Sequence, residues 1–153
     1  MPAAGQIIRA ADFDGWATDE DTTDETNFNS TTFTLGGTTV GVAFTAPTSG
    51  RVLLLVGGRI HLNSATGQRV LLTPEVRTGS SVGLGTVVFA AADDYALEVG
   101  QTANDRLGGA RAVPVEGLTA GTVYNVSLWH RNAASVASAA SIFFRTVQVI
   151  PIP

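Results

Sequence analysis

Between Phe44 and Asn63 the chain reads FTAPTSGRVLLLVGGRIHLN. A turn, Pro47-Thr48-Ser49-Gly50, leads into an unbroken apolar run, Val52, Leu53, Leu54, Leu55 and Val56. Gly57-Gly58 breaks the run, and alternation follows, with Ile60 and Leu62 on one face and Arg59, His61 and Asn63 on the other. Successive side chains of a strand point to opposite faces, so a half-buried strand alternates throughout. Residues 52–56 therefore predict a strand covered on both faces. Ile142 to Ile150 repeats the pattern, with Phe143, Val147 and Val149 on one face and Ile142, Phe144 and Ile150 on the other. Val123 to Arg131 is simpler: Tyr124, Val126 and Leu128 form a core face, opposite Asn125, Ser127 and Trp129. A Trp on a polar face suits a protein contact.

From Thr31 onward, short β-rich runs are divided by Gly, Pro, Asn and Ser clusters. They predict strands over 31–35, 38–46, 51–63, 69–78, 84–92, 95–99, 110–116, 122–132 and 139–150, and no sustained helical period. This is an all-β reading: an antiparallel β-sandwich, jelly-roll-like, over residues 31–153. Two apolar faces on one strand have two simple origins. Three layers would bury the strand, but a β domain of this size normally has two. The favoured alternative is that the outer face meets another subunit. The bland reading is that a loop or the N-terminal segment covers it.

Residues 1–30 read as a separate extended arm, with Ile7, Ile8, Phe13 and Trp16 as docking residues and a short helix at 10–16 weakly indicated. Of the 13 acids, Asp12, Asp14, Asp19, Glu20, Asp21, Asp24 and Glu25 crowd into this arm, whereas Arg9 is its single cation. The acidic, Thr-rich part reads as a solvated linker. The remaining body is nearly neutral and contains no basic cluster, which argues against nucleic-acid binding. Cysteine is absent, which excludes disulfides and thiolate metal sites. No run approaches the roughly 18 apolar residues of a membrane span. The opening MPAAGQIIRAADFDGW lacks a charged-then-apolar signal pattern, so Sec export is not expected.

Gly79-Ser80-Ser81-Val82-Gly83 fits G-x-S-x-G, with Asp105 and His130 in hydrolase order. A nucleophile elbow needs a strand-to-helix turn, and here the motif lies between β-rich runs, so a hairpin loop is the reading. His61 and His130 could join Asp93 or Asp94 at a metal, but nothing in their spacing supports it, and a buried or interface histidine is favoured at 130. Asp12-Phe13-Asp14-Gly15 and Asp19-Glu20-Asp21 lack the pattern of a twelve-residue calcium loop. Glu75 and Glu98 are the candidates for a glycosidase-like pair, and Tyr95, Tyr124 and Trp129 for an aromatic platform. Asn29-Ser30-Thr31 and Asn125-Val126-Ser127 are chance sequons on this reading. No catalytic residue, cofactor or metal is assigned.

FTAPTSGRVLLLVGGRI resembles the F-x-A-P-x-x-G-x-Y segment and following apolar strand of complement-globular-head and tumour-necrosis-factor-like jelly rolls. LTAGTVYNVSLWHR resembles their penultimate region and SIFFRTVQVI their final strand. The resemblance covers residues 38–150 and implies a homotrimer packed through apolar strands. AAGQIIRAADF is similar to the openings of tailed-phage tail-fibre and minor tail proteins, and LTPEVRTGSSVGLGTVVFAAADDYAL to small phage structural proteins. Together the resemblances imply a non-enzymatic virion protein assembled in the bacterial host cytoplasm. Its expected partners are its own copies, other virion proteins through the arm, and a host-surface glycan or protein; neither nucleic acid nor membrane insertion is expected.

The expected oligomer interface comprises Val52, Leu53, Leu54, Leu55, Val56, Trp129, Phe143 and Phe144, with either Val52, Leu54 and Val56 or Leu53 and Leu55 turned to the neighbour. Loops 64–68, 79–85 and 101–109 are expected to face solvent. A minor tail, tail-tip or fibre component is the leading placement and capsid decoration the second. A carbohydrate-binding or hydrolytic module is the alternative of a different class.

Overall fold

The computed structural model describes residues 16–62, 69–99, 106–133 and 140–153. Ten strands follow one another: β1 (Ala17–Asp21), β2 (Glu25–Phe28), β3 (Gly41–Thr45), β4 (Val52–Leu62), β5 (Val70–Thr78), β6 (Val87–Phe89), β7 (Leu97–Val99), β8 (Arg106–Val115), β9 (Val123–Asn132) and β10 (Ala140–Pro151). A 3-10 turn, Asp93–Tyr95, is the helical piece among the described residues. Sheet A runs β1-β10-β4-β8, with β2 also paired to β10. Sheet B runs β3-β9-β5-β6, with β7 also paired to β5. Every strand pairing is antiparallel.

Treating β1 with β2 as one interrupted edge, and β6 with β7 as another, leaves two four-stranded sheets. The chain passes between them at every connection except the one between β5 and the β6–β7 edge. First pairs with last, and the wiring is that of a jelly-roll sandwich. Most predicted strands are present because Gly, Pro and Asn turns bracket them. Between the sheets lie Val52, Leu54 and Val56 of β4, Leu72 and Val76 of β5, Val126 and Leu128 of β9, and Val147 and Val149 of β10. A second cluster, with Ile60, Leu62, Val70 and Ile142, continues the core toward the other end.

The strand expected over 51–63 is present as β4, which runs through Gly57-Gly58 and pairs with both β10 and β8. Three expectations are corrected. The acidic stretch is not a solvated loop: it supplies β1 and β2, hydrogen-bonded along β10. Residues 31–35 form no strand, only a bridge between Thr34 and His130. Residues 106–109, expected in a loop, open β8. Ile7, Ile8, Phe13 and Asp105, and loop 64–68, lie outside the described residues.

Candidate functional site

Register now answers what the two faces of β4 do. Val52, Leu54, Val56, Ile60 and Leu62 point into the core and are essentially inaccessible. Leu53 and Leu55 point outward and are half-buried. The first set therefore stabilises the chain's own fold, and of the expected interface alternatives only Leu53 and Leu55 remain on the surface. Their neighbours follow from the ladder. Leu53 stands between Ile150 of β10 and Pro114 of β8, and Leu55 between Gln148 and Ala112. Ala17 pairs with Val149, so Trp16, one residue earlier, comes next to Ile150 at the end of this row. Trp16 is 57% exposed. An apolar row, Trp16–Ile150–Leu53–Pro114, thus crosses the outer face of sheet A.

The same face changes character toward the other end. Between Ile142 and Phe144 a β-bulge opposes two residues of β10 to one of β4. Ile142 is left in the core, while Phe143 and Phe144 are both half-buried. The Phe143 ring lies 5.8 Å from that of His61, and the Arg106 guanidinium lies 5.3 Å from its centre. Simple alternation had grouped Phe143 with Val147 and Val149; the inserted residue resets the parity.

Sheet B is finished differently on its outer side. Asn125 is completely buried there, under the β5–β6 loop. Its amide donates to the carbonyls of Gly79 (3.0 Å) and Leu84 (3.1 Å), and its side-chain oxygen accepts from Gly83 N–H (3.0 Å). Gly41 lets the loop come close: a Cβ at 41 would stand 2.6 Å from Val82 and 2.3 Å from the Val126 carbonyl. Beyond this loop, Thr73 Oγ1 donates to Ala92 O (3.1 Å), while Arg131 pairs with Asp93 and reaches Thr31 O. Trp129 lies on this self-covered face, away from Leu53 and Leu55. Its indole N–H donates to Ser127 Oγ (3.1 Å), and the Arg77 guanidinium lies 5.6 Å from the ring centre. Residues 79–85 were expected to face solvent, and Gly79, Ser80, Ser81, Leu84 and Gly85 do, Leu84 exposing 67% of its surface, while Asn125 holds the inner side of the loop on the sheet.

A charged cluster holds the N-terminal edge of sheet A. Arg145, 1% exposed, donates to Asp21 (2.6 Å) and to Glu25 (2.9 Å). His130, fully buried on β9, has Nε2 3.2 Å from Glu25 Oε1, a close approach without hydrogen-bond alignment that is ionic only when the imidazole is protonated. The Phe28 ring meets the imidazole edge-on at 4.7 Å. Gly36 closes the site from outside: its φ is +77°, and a Cβ there would fall 2.0 Å from Glu25 Oε2. Burial holds the His130 imidazole below its ordinary range; Glu25 opposes this shift and Arg145 adds to it. Burial also pushes the Asp21 carboxyl up, but hydrogen bonds from Thr23 and Arg145 outweigh it and leave the group lowered. The cluster therefore clamps β1 and β2 to the two last strands.

The remaining candidates are dispersed. Ser81 lies in the loop over sheet B's outer face, whereas His130 faces the interior between the sheets. No cluster of three or more metal-ligating side chains occurs among the described residues. Glu75 pairs with Arg77 at 2.7 Å, and Glu98 with Arg69 at 3.0 Å. In register Glu98 stands opposite Leu71, which separates the two carboxylates along β5. Tyr124 is in the core, with its hydroxyl accepting from Thr119 N–H (3.1 Å), and Tyr95 leans on Phe89. These aromatics do not form one platform. Sequence pattern missed Asn125, Arg145 and the Trp16 row; parity could have found Asn125 as a polar side chain too short to reach past a covering loop.

No protein-family model matches this chain, and no curated protein matches it in sequence. Among solved structures, a chain of the T13 IBDV viral particle aligns over 91% of this chain, with 16% identity and a TM-score of 0.54. The match covers 32% of that longer chain, so the present chain spans about a third of its length. The tailspike protein 4 enzymatically active domain of bacteriophage CBA120 aligns over 89% of this chain and 19% of its own, at 11% identity and TM-score 0.35, a likeness too slight to carry an argument. What the chain shares with the IBDV particle protein is its fold: a two-sheet β-sandwich.

Proposed function

We propose that this chain is a non-enzymatic structural protein of a virion, a homotrimeric tail-tip or fibre component that acts in assembly or host-surface adhesion. The carrying observation is a jelly-roll sandwich, similar in fold to a viral particle protein, that carries a partly exposed apolar row on the outer face of one sheet. The similarity of AAGQIIRAADF to tail-protein openings supports the tail placement. Residues preceding β1, with Ile7, Ile8 and Phe13, then serve as the attachment arm, laying apolar side chains on a neighbouring virion protein. The dispersed carboxylates, serine and histidine support a structural role over hydrolysis. Capsid decoration is the second reading, which the IBDV particle likeness favours.

Two measurements test the proposal. Light-scattering mass should give three times the chain mass, both for the full chain and for a chain lacking residues 1–15. Peptides of this chain should also appear by mass spectrometry in gradient-purified virus particles from the producing culture. A monomer at all concentrations removes the trimer, and particles free of the chain remove the virion role.

A further inference from the structure

The outer face of sheet A is a surface in search of an occupant, and we infer that its occupant is a second copy of this chain, seated on the row Trp16, Ile150, Leu53 and Pro114. The inference rests on the assembly reading above and adds the surface through which assembly takes place. Three observations carry it.

The first is selectivity. Sheet B covers its outer side with its own segments, through Asn125, Thr73 and Arg131. On sheet A the row stays partly open: Trp16 and Pro114 are exposed, and Leu53 and Ile150 are only partly buried. A large aromatic side chain left 57% exposed beside aliphatic neighbours is the usual composition of an interface centre.

The second is size and relief. The eleven residues of β4, at about 3.3 Å each, and four strands at about 4.8 Å give a face of roughly 700 Å². That is most of the ~800 Å² per partner in a standard interface. On the side of β8, Gly57 is flanked by Ala110, and the next outward positions are Ala112 and Gly108. Such short side chains let a second surface approach closely.

The third is charge. Along the rows from Trp16 to Arg59 the outward-facing ionisable groups are Glu20 of β1 and Arg59 of β4, one of each sign. The face is therefore close to neutral, which does not oppose a neighbouring copy, whereas a strongly acidic or basic partner would find no complement.

The test uses the full chain carrying Trp129→Phe, which leaves Trp16 as its single tryptophan. Raising the concentration from about 1 µM to about 1 mM should shift Trp16 emission to the blue as mass rises, because assembly dries the indole. Leu53→Glu with Leu55→Glu should hold the chain monomeric with emission fixed at the red limit, while circular dichroism stays that of the parent and the melting temperature matches the parent's under dilute, dissociated conditions. Should that pair disturb folding, Ala112→Glu on the exposed edge strand gives the same reading. An oligomer that survives these variants with Trp16 emission independent of concentration overturns the assigned surface and leaves the assembly reading standing. A monomer throughout overturns both. A monomer with blue emission at every concentration assigns the face to the chain's own residues 1–15 and likewise overturns the inference.

Discussion

On the outer side of sheet B, Asn125 of β9 is completely buried; on the outer side of sheet A, Leu53 and Leu55, near the start of β4, are only partly buried. A polar residue is fully covered and apolar residues are not, the reverse of what hydropathy alone would assign. The reason is hydrogen-bond satisfaction. Loop 79–85 contains backbone donors and acceptors that lose water when the loop lies down, and Asn125 supplies partners for them. Leu53 and Leu55 offer none, so a loop of the same chain gains little specificity by lying there. A broad apolar sheet suits that face better. The two sheets also differ in how they are clasped. The cover of sheet B hangs largely on a neutral amide, whereas the N-terminal edge of sheet A hangs on Arg145, Asp21, Glu25 and His130.

The largest effect expected comes from breaking the charged clasp. Arg145→Met leaves Asp21 and Glu25 facing each other without their cation and should cost about 3 kcal/mol. Chemical denaturation would read it, and hydrogen exchange should show β1 and β2 opening first; a loss below about 1 kcal/mol would mean the cluster is incidental. Next is the neutral clasp. Asn125→Ala orphans several buried backbone groups of loop 79–85 and should cost about 2 kcal/mol. Amide exchange at Gly83 should quicken while that of β1 is unchanged.

Acid separates the two clasps without mutation. The unfolded chain takes up a proton on His130 near pH 6.5, and the folded chain takes it only at lower pH, so stability falls as pH drops below about 6.5. Asp21 adds a second fall below about pH 3.9, lost through its lowered folded value. In His130→Gln the first fall should vanish from a series of denaturation curves. If wild type and variant trace the same curve between pH 6.5 and 5, His130 does not titrate with folding. The smallest effect is on the outer face of sheet A. Leu53→Ser should change monomer stability by no more than about 0.5–1 kcal/mol, because the side chain is only half removed from water.

Much of this architecture was legible in the chain. Turns at Pro47–Gly50, Gly79–Gly83 and Gly117–Gly121 fixed the bounds of β4, β5 and β9 to within a residue or two. The apolar run of residues 52–56 is a strand with one face, Val52, Leu54 and Val56, in the core and the other, Leu53 and Leu55, partly buried on the outside. What stayed hidden depends on distant residues. Nothing local marks Ala-Thr-Asp-Glu-Asp as a strand; it becomes one because Arg145, more than a hundred residues later, meets its inward carboxylate. The bulge at Phe143 is equally unmarked, and one inserted residue reversed the assignment of its neighbours. The row beside Trp16 was not visible in the sequence because it is assembled from four strands far apart in the chain.

Hydroxyl-radical footprinting of the full chain, compared between about 1 µM and about 1 mM, tests the contrast between the faces most directly. Trp16, Leu53 and Leu55 should become protected as concentration rises, while Leu84, on the other sheet's loop, keeps its labelling. Protection at Leu84 with unchanged labelling at Trp16, Leu53 and Leu55 would contradict the account, since copies would then meet through the face that the chain has already covered.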